Sequence, residues 1–199
     1  MNSVAIEILT PRYGIAWYPW AVQYFFMIAV SYSALLMTVP GLLFGNRNYQ
    51  ALAKVALVVT VTCTLVGPVA LLADLHQPLR FWHFYANLNS HSWMSVGSLL
   101  LPLYLFAVVG YAWLAWRGGL QEQARGQGWI AKISGWLSLG SWETPRWLLV
   151  LVGLGALAFA GGIMVYTGSE VAIIRARPLW HTHWLPVMKA YEERRPAYF

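Results

Sequence analysis

Four long apolar runs, each nearly free of charge, alternate along this chain with short polar intervals. A helix needs about 20 such residues to cross the roughly 30 Å hydrocarbon core of a bilayer. The pattern therefore predicts four spanning helices, over about 17–44, 51–73, 93–116 and 146–166. Trp17, Tyr18 and Trp20 open the first as an interfacial belt. Pro40 and Gly41 near its end predict a kink or early stop, and Gly45 to Asn48 a short turn carrying Arg47. In the second run Thr60, Thr62 and Thr64 are placed to bond back to their own helix, and Gly67 and Pro68 disturb the ladder one to two turns before Asp74. Between the second and third runs, Pro78 is suited to the first turn of a short interfacial helix reaching about Ala86. The third run is bracketed by Trp93 and Trp116. A polar, Gly-rich interval follows, in which Trp129, Ile130, Ile133, Trp136 and Leu137 are spaced for a short stretch lying flat on the bilayer. In the fourth run Ala156 with Ala160, and Ala158 with Gly162, are small residues four apart, suited to close helix packing. The expected architecture is an all-α integral membrane four-helix bundle over residues 1–175, with 176–199 as an extramembrane C-terminal tail.

Composition supports this, with 59% hydrophobic and 10% charged residues against about 25% charged in soluble proteins. Lys and Arg exceed Asp and Glu by 13 to 7, but they flank the apolar runs, so the surplus concerns topology and implies no nucleic-acid partner. The first apolar run is too long for a signal-peptide core and is expected to stay as an anchor. The loops after spans one and three carry Arg47, Lys54, Arg117, Arg125, Lys132 and Arg146. The other side carries Arg12, Arg80, Arg175, Arg177, Lys189, Arg194 and Arg195, so by number the sides nearly tie. Because the first loop is short and basic while much of the opposing charge lies in the distal tail, that loop is expected inside, and both termini and the Asp74 loop outside. A single Cys63 excludes an internal disulfide and a four-Cys iron–sulfur or zinc site on this chain alone.

The interval from Asp74 to Trp93, DLHQPLRFWHFYANLNSHSW, holds three of the five His, an acid at the end of an apolar run and Arg80. Ionisable groups are costly near hydrocarbon, and their concentration at one membrane edge marks a functional site. Haem would need axial His inside the spans, whereas His76, His83, His91, His181 and His183 fall outside them, and no metal site is expected. Taken alone, Asp74 is also explained as a helix-terminal acid paired with Arg80 or reaching water. It is not alone. Tyr166 and Glu170 close the fourth span on the same side, and Trp20, Gln23 and Tyr24 open the first span there. Together with Arg80 and His83 these supply the donors, acceptors and proton-exchanging acid that a quinone headgroup requires.

The motifs DLHQPLRFWHF after span two, SWMSVGS at the start of span three and YTGSEVAIIRARPLWHTHWLP after span four, with WYPWAVQYFF at the start of span one, resemble the NrfD family of polysulfide reductase membrane subunits. The resemblance covers most of residues 17–186. It implies a haem-free subunit of an oxidoreductase acting on sulfur compounds, of tetrathionate or polysulfide reductase type, in a bacterial inner membrane. It also implies a molybdopterin catalytic subunit and a ferredoxin-like iron–sulfur subunit as partners, and exchange of electrons with menaquinone or ubiquinone near the outer face. Asp74 in DLxxPxRFW and Tyr166 in YTG match the family's quinone site, and Gln23 matches more loosely. The family fold has eight or more helices, and this chain resembles its first half, turning charged at WLPVMKAYEERRPAYF where a fifth span is expected. That departure implies a truncated or split polypeptide, or a half-unit completed by another membrane subunit or a second copy. Two rivals remain open: a purely structural anchor without a quinone site, and half of a transporter, for which Thr60 to Thr64 are the only midplane polar cluster.

Overall fold

The structure is a computed structural model that describes residues 19–75, 78–86, 88 and 93–172. The expectations placed on Trp17 and Tyr18, on His76, His91, His181 and His183, and on the tail from 176 lie outside these residues. The described chain is helical, without strands, and four of its helices are long and apolar enough to cross a membrane. It is a multi-pass membrane protein.

Helix α1, Pro19–Met37, begins on a proline, whose missing N–H and fixed φ suit a first turn. It ends where the Thr38 hydroxyl donates to Leu35 O at 2.7 Å. The expected kink at Pro40 and Gly41 takes the form of a π-helical turn, Val39–Leu43, closed by Phe44 N–H to Val39 O at 3.1 Å. Gly41 is required there, because a Cβ would lie 2.6 Å from Tyr49 O and from Ala53 Cβ. After a short 3₁₀ turn, Arg47–Tyr49, capped by the Asn46 side chain, helix α2 runs Gln50–Asp74 through Pro68 without ending. A 3₁₀ turn at Pro78–Arg80 and a short helix α3, His83–Ala86, follow.

Helix α4, Trp93–Ala124, has 32 residues, about 48 Å at 1.5 Å per residue. That exceeds the roughly 30 Å hydrocarbon core, so α4 continues beyond the end expected at Trp116 despite Gly118 and Gly119. Helix α5, Trp129–Leu137, folds back on it: Ala131, Ser134 and Ser138 turn inward, and Trp129, Ile130, Ile133, Trp136 and Leu137 stay exposed. Helix α6, Arg146–Ala172, completes the bundle.

The most extensive helix pairings are α1 with α2 and α4 with α6, so the bundle is two hairpins laid together. Ile28, Leu35, Leu57, Tyr104, Val108, Tyr111, Ala156 and Ile163 fill the seam. Large apolar side chains, among them Phe26, Val55, Val69, Phe106 and Leu151, stay exposed on the outside. Helices that are apolar inside and out are membrane spans, with lipid as their outer solvent. Of the two small-residue pairs on α6, Ala156 and Ala160 are buried in the seam, while Ala158 faces out and Gly162 packs on Leu100.

Most buried polar groups are satisfied, chiefly in two tiers, with the Thr144 hydroxyl the exception among the described residues. At mid-bundle Ser31 Oγ lies 2.5 Å from Thr64 Oγ1 and 2.8 Å from the Tyr104 hydroxyl, joining α1, α2 and α4. Thr60 and Thr64 also donate to carbonyls one turn back, at 2.8 and 2.7 Å, as expected from their spacing, whereas Thr62, of which the same was expected, is exposed on the outer face. Near the end of α4 the fully buried Arg117 donates to Ser138 O and Gly140 O, both at 2.9 Å, and to Trp142 O. Its guanidinium lies 3.7 Å from the Trp142 ring centroid, a cation–π contact. This clamp ties the 138–142 turn, and α5 before it, to α4.

Candidate functional site

At the end of the bundle where α2 closes and α4 begins, the two hairpins part around a cavity of about 270 Å³. Each helix contributes through its own register. On α1, Ala21, Tyr24 and Ile28 lie on the buried face, three to four residues apart, which turns the Tyr24 ring inward. On α2, Pro68, Leu71, Leu72 and Asp74, with Leu75 just past its end, form the opposite wall. Gly67 sits just below, where a Cβ would still find 3.8 Å to Tyr24 and Ile28. Helix α4 supplies Gly97, Ser98 and Leu101, and α6 supplies Tyr166 and Glu170, one helical turn apart. Phe81 and Tyr85 close the side nearest the interface.

The walls are mainly hydrocarbon, with three phenols, Tyr24, Tyr85 and Tyr166, and two carboxyls set into them. Tyr166 and Glu170 lie one turn apart on α6, and the Glu170 carboxyl bears electrostatically on both the Tyr166 and the Tyr24 phenols. Tyr166 is held by a close fit to α4: a Cβ on Gly97 would overlap its Cζ and hydroxyl oxygen and lie 2.8 Å from Cε1. The phenol therefore rests directly on the α4 backbone. Leu72, Phe81 and Tyr85 line the cavity and are also exposed on the outer surface, so one wall is thin and apolar.

Of the eight residues the sequence nominated, the structure gathers four, Tyr24, Asp74, Tyr166 and Glu170, around this cavity. The other four do not line it. Trp20 and Gln23 occupy the outer face of α1. Arg80 is exposed on its 3₁₀ turn, and His83 is exposed with its ring stacked on Trp82 at 3.9 Å. No described Lys or Arg lines the cavity. Gly97, Pro68, Phe81 and Tyr85 were not singled out as site residues, although Gly97 lies in SWMSVGS and the aromatic pair in DLHQPLRFWHFY. Among the described residues no group of three or more His, Cys, Asp and Glu side chains is arranged to hold a metal.

At about 270 Å³ the cavity lies just below the usual range of ligand pockets, about 300–1,000 Å³, and matches a ring-sized headgroup rather than a whole large ligand. Its hydroxyls both donate and accept, and its carboxyls exchange protons.

The family profile described as polysulphide reductase, NrfD, matches residues 9–189. The chain is 35% identical to the C subunit of tetrathionate reductase from Salmonella typhimurium, over 91% of this chain and 47% of that protein. It is 24% identical to the C subunit of selenate reductase from Mesobacillus selenatarsenatis, over 59% of this chain and 28% of that one. It thus spans no more than about half the length of either relative. No solved structure matches.

Proposed function

The chain belongs to the NrfD polysulphide reductase family, and on that premise we propose that the cavity between its two hairpins binds the headgroup of a membrane quinol. In this reading the chain is the quinone-exchanging membrane subunit of a reductase complex in a bacterial inner membrane. A ferredoxin-like iron–sulfur subunit takes up the electrons, and a molybdopterin subunit reduces a sulfur oxyanion or polysulfide. Both termini and the Asp74 loop face outward, and a further membrane subunit or second copy supplies the remainder of the family's helices. The observation that carries this reading is the meeting of Asp74, Tyr166, Glu170 and Tyr24 around one apolar cavity near the ends of the spans.

A quinol carries two hydroxyls on an apolar ring and a long lipid tail. The hydrocarbon walls accommodate the ring, and the thin face at Leu72, Phe81 and Tyr85 gives a tail a route to lipid. Tyr24 and Tyr166 orient ring oxygens by hydrogen bonds, and Asp74 accepts a proton at the membrane edge. The bound quinol supplies two electrons to the iron–sulfur partner, and this chain's groups bind, orient and exchange protons.

The test is reduction of the partner's clusters by quinol in the purified complex, with and without a headgroup-mimicking inhibitor such as a hydroxyquinoline N-oxide. Inhibitor-sensitive reduction, weakened on the order of 100-fold by Asp74→Asn while the subunits still assemble, is the expected outcome. If the clusters are reduced equally well with the inhibitor bound, or with Asp74→Asn, the chain is an anchor and the quinol is oxidised elsewhere.

A further inference from the structure

The cavity holds two carboxyls, on opposite hairpins, and a quinol gives up two protons. We infer that these acids divide the work: Glu170, reached through the Tyr166 hydroxyl, takes one proton, and Asp74 takes the other. This rests on the reading of the cavity as a quinol site and assigns the groups that serve each ring oxygen.

The geometry separates the two acids. Asp74 terminates α2, and Glu170 lies on α6, with the cavity between them. Only Glu170 has a phenol one turn before it on its own helix and lining the same cavity, and that phenol is pressed against Gly97 of α4. Tyr24 faces Glu170 from α1, Tyr85 lies at the interface side, and no described cation lines the space. A side chain held this closely is a fixed relay: its oxygen receives a proton from the ring hydroxyl while its own proton passes to Glu170.

The exchange balances. Two ring O–H bonds break. One proton moves to Tyr166, whose displaced proton protonates Glu170, and the other protonates Asp74. Two electrons leave for the iron–sulfur partner, and the ring is released as quinone. In the reverse direction each acid returns its proton. Two acceptors with separate routes allow both protons to leave without either acid discharging between steps.

The experiment uses the assembled complex in liposomes, with a short-chain quinol as probe. Three readouts are taken: equilibrium quinol binding, single-turnover cluster reduction, and infrared difference spectra of the protonated carboxyl C=O, identified by its shift in deuterium oxide. Wild type is expected to gain two such bands on quinol oxidation. Glu170→Gln should lose one and Asp74→Asn the other. Glu170→Gln should slow cluster reduction on the order of 100-fold while binding changes only a few-fold, and Glu170→Asp, which keeps the acid, should restore part of the rate. Tyr166→Phe should leave the Asp74 band intact and slow the appearance of the Glu170 band, and it serves in place of Glu170→Gln if that variant does not assemble. Both bands persisting in Glu170→Gln, or an unchanged rate in Tyr166→Phe, overturns the division of labour while quinol oxidation itself stands. A wild-type complex that neither binds nor oxidises quinol overturns the cavity reading first, and this one with it.

Discussion

Replacing Gly97 by alanine is the sharpest structural perturbation of the cavity, because one methyl group enters a contact with no slack. The added Cβ would overlap the Tyr166 Cζ and hydroxyl oxygen and lie 2.8 Å from Cε1, where ordinary contacts begin at 3.4 Å. The ring must therefore withdraw by at least about 0.6 Å at Cε1, and by more at the hydroxyl. Alanine in place of a helical glycine contributes about 1 kcal/mol of helix propensity, while overpacking costs about 1–3 kcal/mol. The net loss of stability is thus expected to be small, about 2 kcal/mol at most. The effect on chemistry is expected to be larger, since a misplacement of about 1 Å in a reacting group can cost on the order of 100-fold in rate. Gly161→Ala is the control: nothing lies within 4 Å of its Cβ, so it should keep full turnover. Both variants would be compared by quinol-dependent cluster reduction and by thermal unfolding in the same detergent. Gly97→Ala turning over within twofold of wild type would refute the claim that the Tyr166 hydroxyl must rest on α4. So would a matching loss in Gly161→Ala.

Other outcomes follow from the polar tiers and the topology. In a double-mutant cycle Ser31→Ala with Tyr104→Phe should show a coupling of about 0.6 kcal/mol, and no more than about 1.7, the range for hydroxyl pairs within membranes; additive effects in an unfolding titration would remove the mid-bundle link. Arg117→Lys loses both the fork that serves three carbonyls and the stacking on Trp142, and should cost about 2 kcal/mol. Amide hydrogen exchange should then quicken across 129–142 and stay unchanged around Gly97 and Tyr166. With Cys63 replaced, single cysteines at Leu79 and Gln123 should lie on opposite sides, and an impermeant reagent applied to intact cells should label the one at Leu79. Labelling at Gln123 instead reverses the orientation.

The spans were legible because lipid makes a simple demand: a long run without charges either crosses or fails to insert. Thr60 and Thr64 bond back to their helix as their spacing suggested, since that bond is local. Local spacing did not show that Thr64 also meets Ser31, 33 residues away. The length of α4 was missed for a related reason. Gly118 and Gly119 signal a stop, and what carries the helix through them is Arg117 and Gln121 holding the carbonyls of 138–142. At the cavity, depth along each span was readable, which placed Tyr24, Asp74, Tyr166 and Glu170 at one level. Rotation about each helix was not: Gln23 and Tyr24 are neighbours in sequence, yet one faces outward and the other is buried. Gly97 was not placed at the site because a missing side chain has no chemistry of its own until a partner is seen filling its place.

The division of the bundle into two hairpins bears on how this protein is made. Tyr24 and Asp74 belong to the first hairpin, while Gly97, Tyr166 and Glu170 belong to the second. A nascent chain that has inserted only α1 and α2 carries an acid at the membrane edge with no opposing wall, and α4 alone presents a bare glycine. The pocket comes into being only when α6 docks, so a ribosome that stalls before α6 leaves a membrane-embedded fragment with half a cavity and without Tyr166 and Glu170. Ligand added during biogenesis would then act as a late fastener across the seam, and the order of synthesis sets when the protein first becomes able to bind.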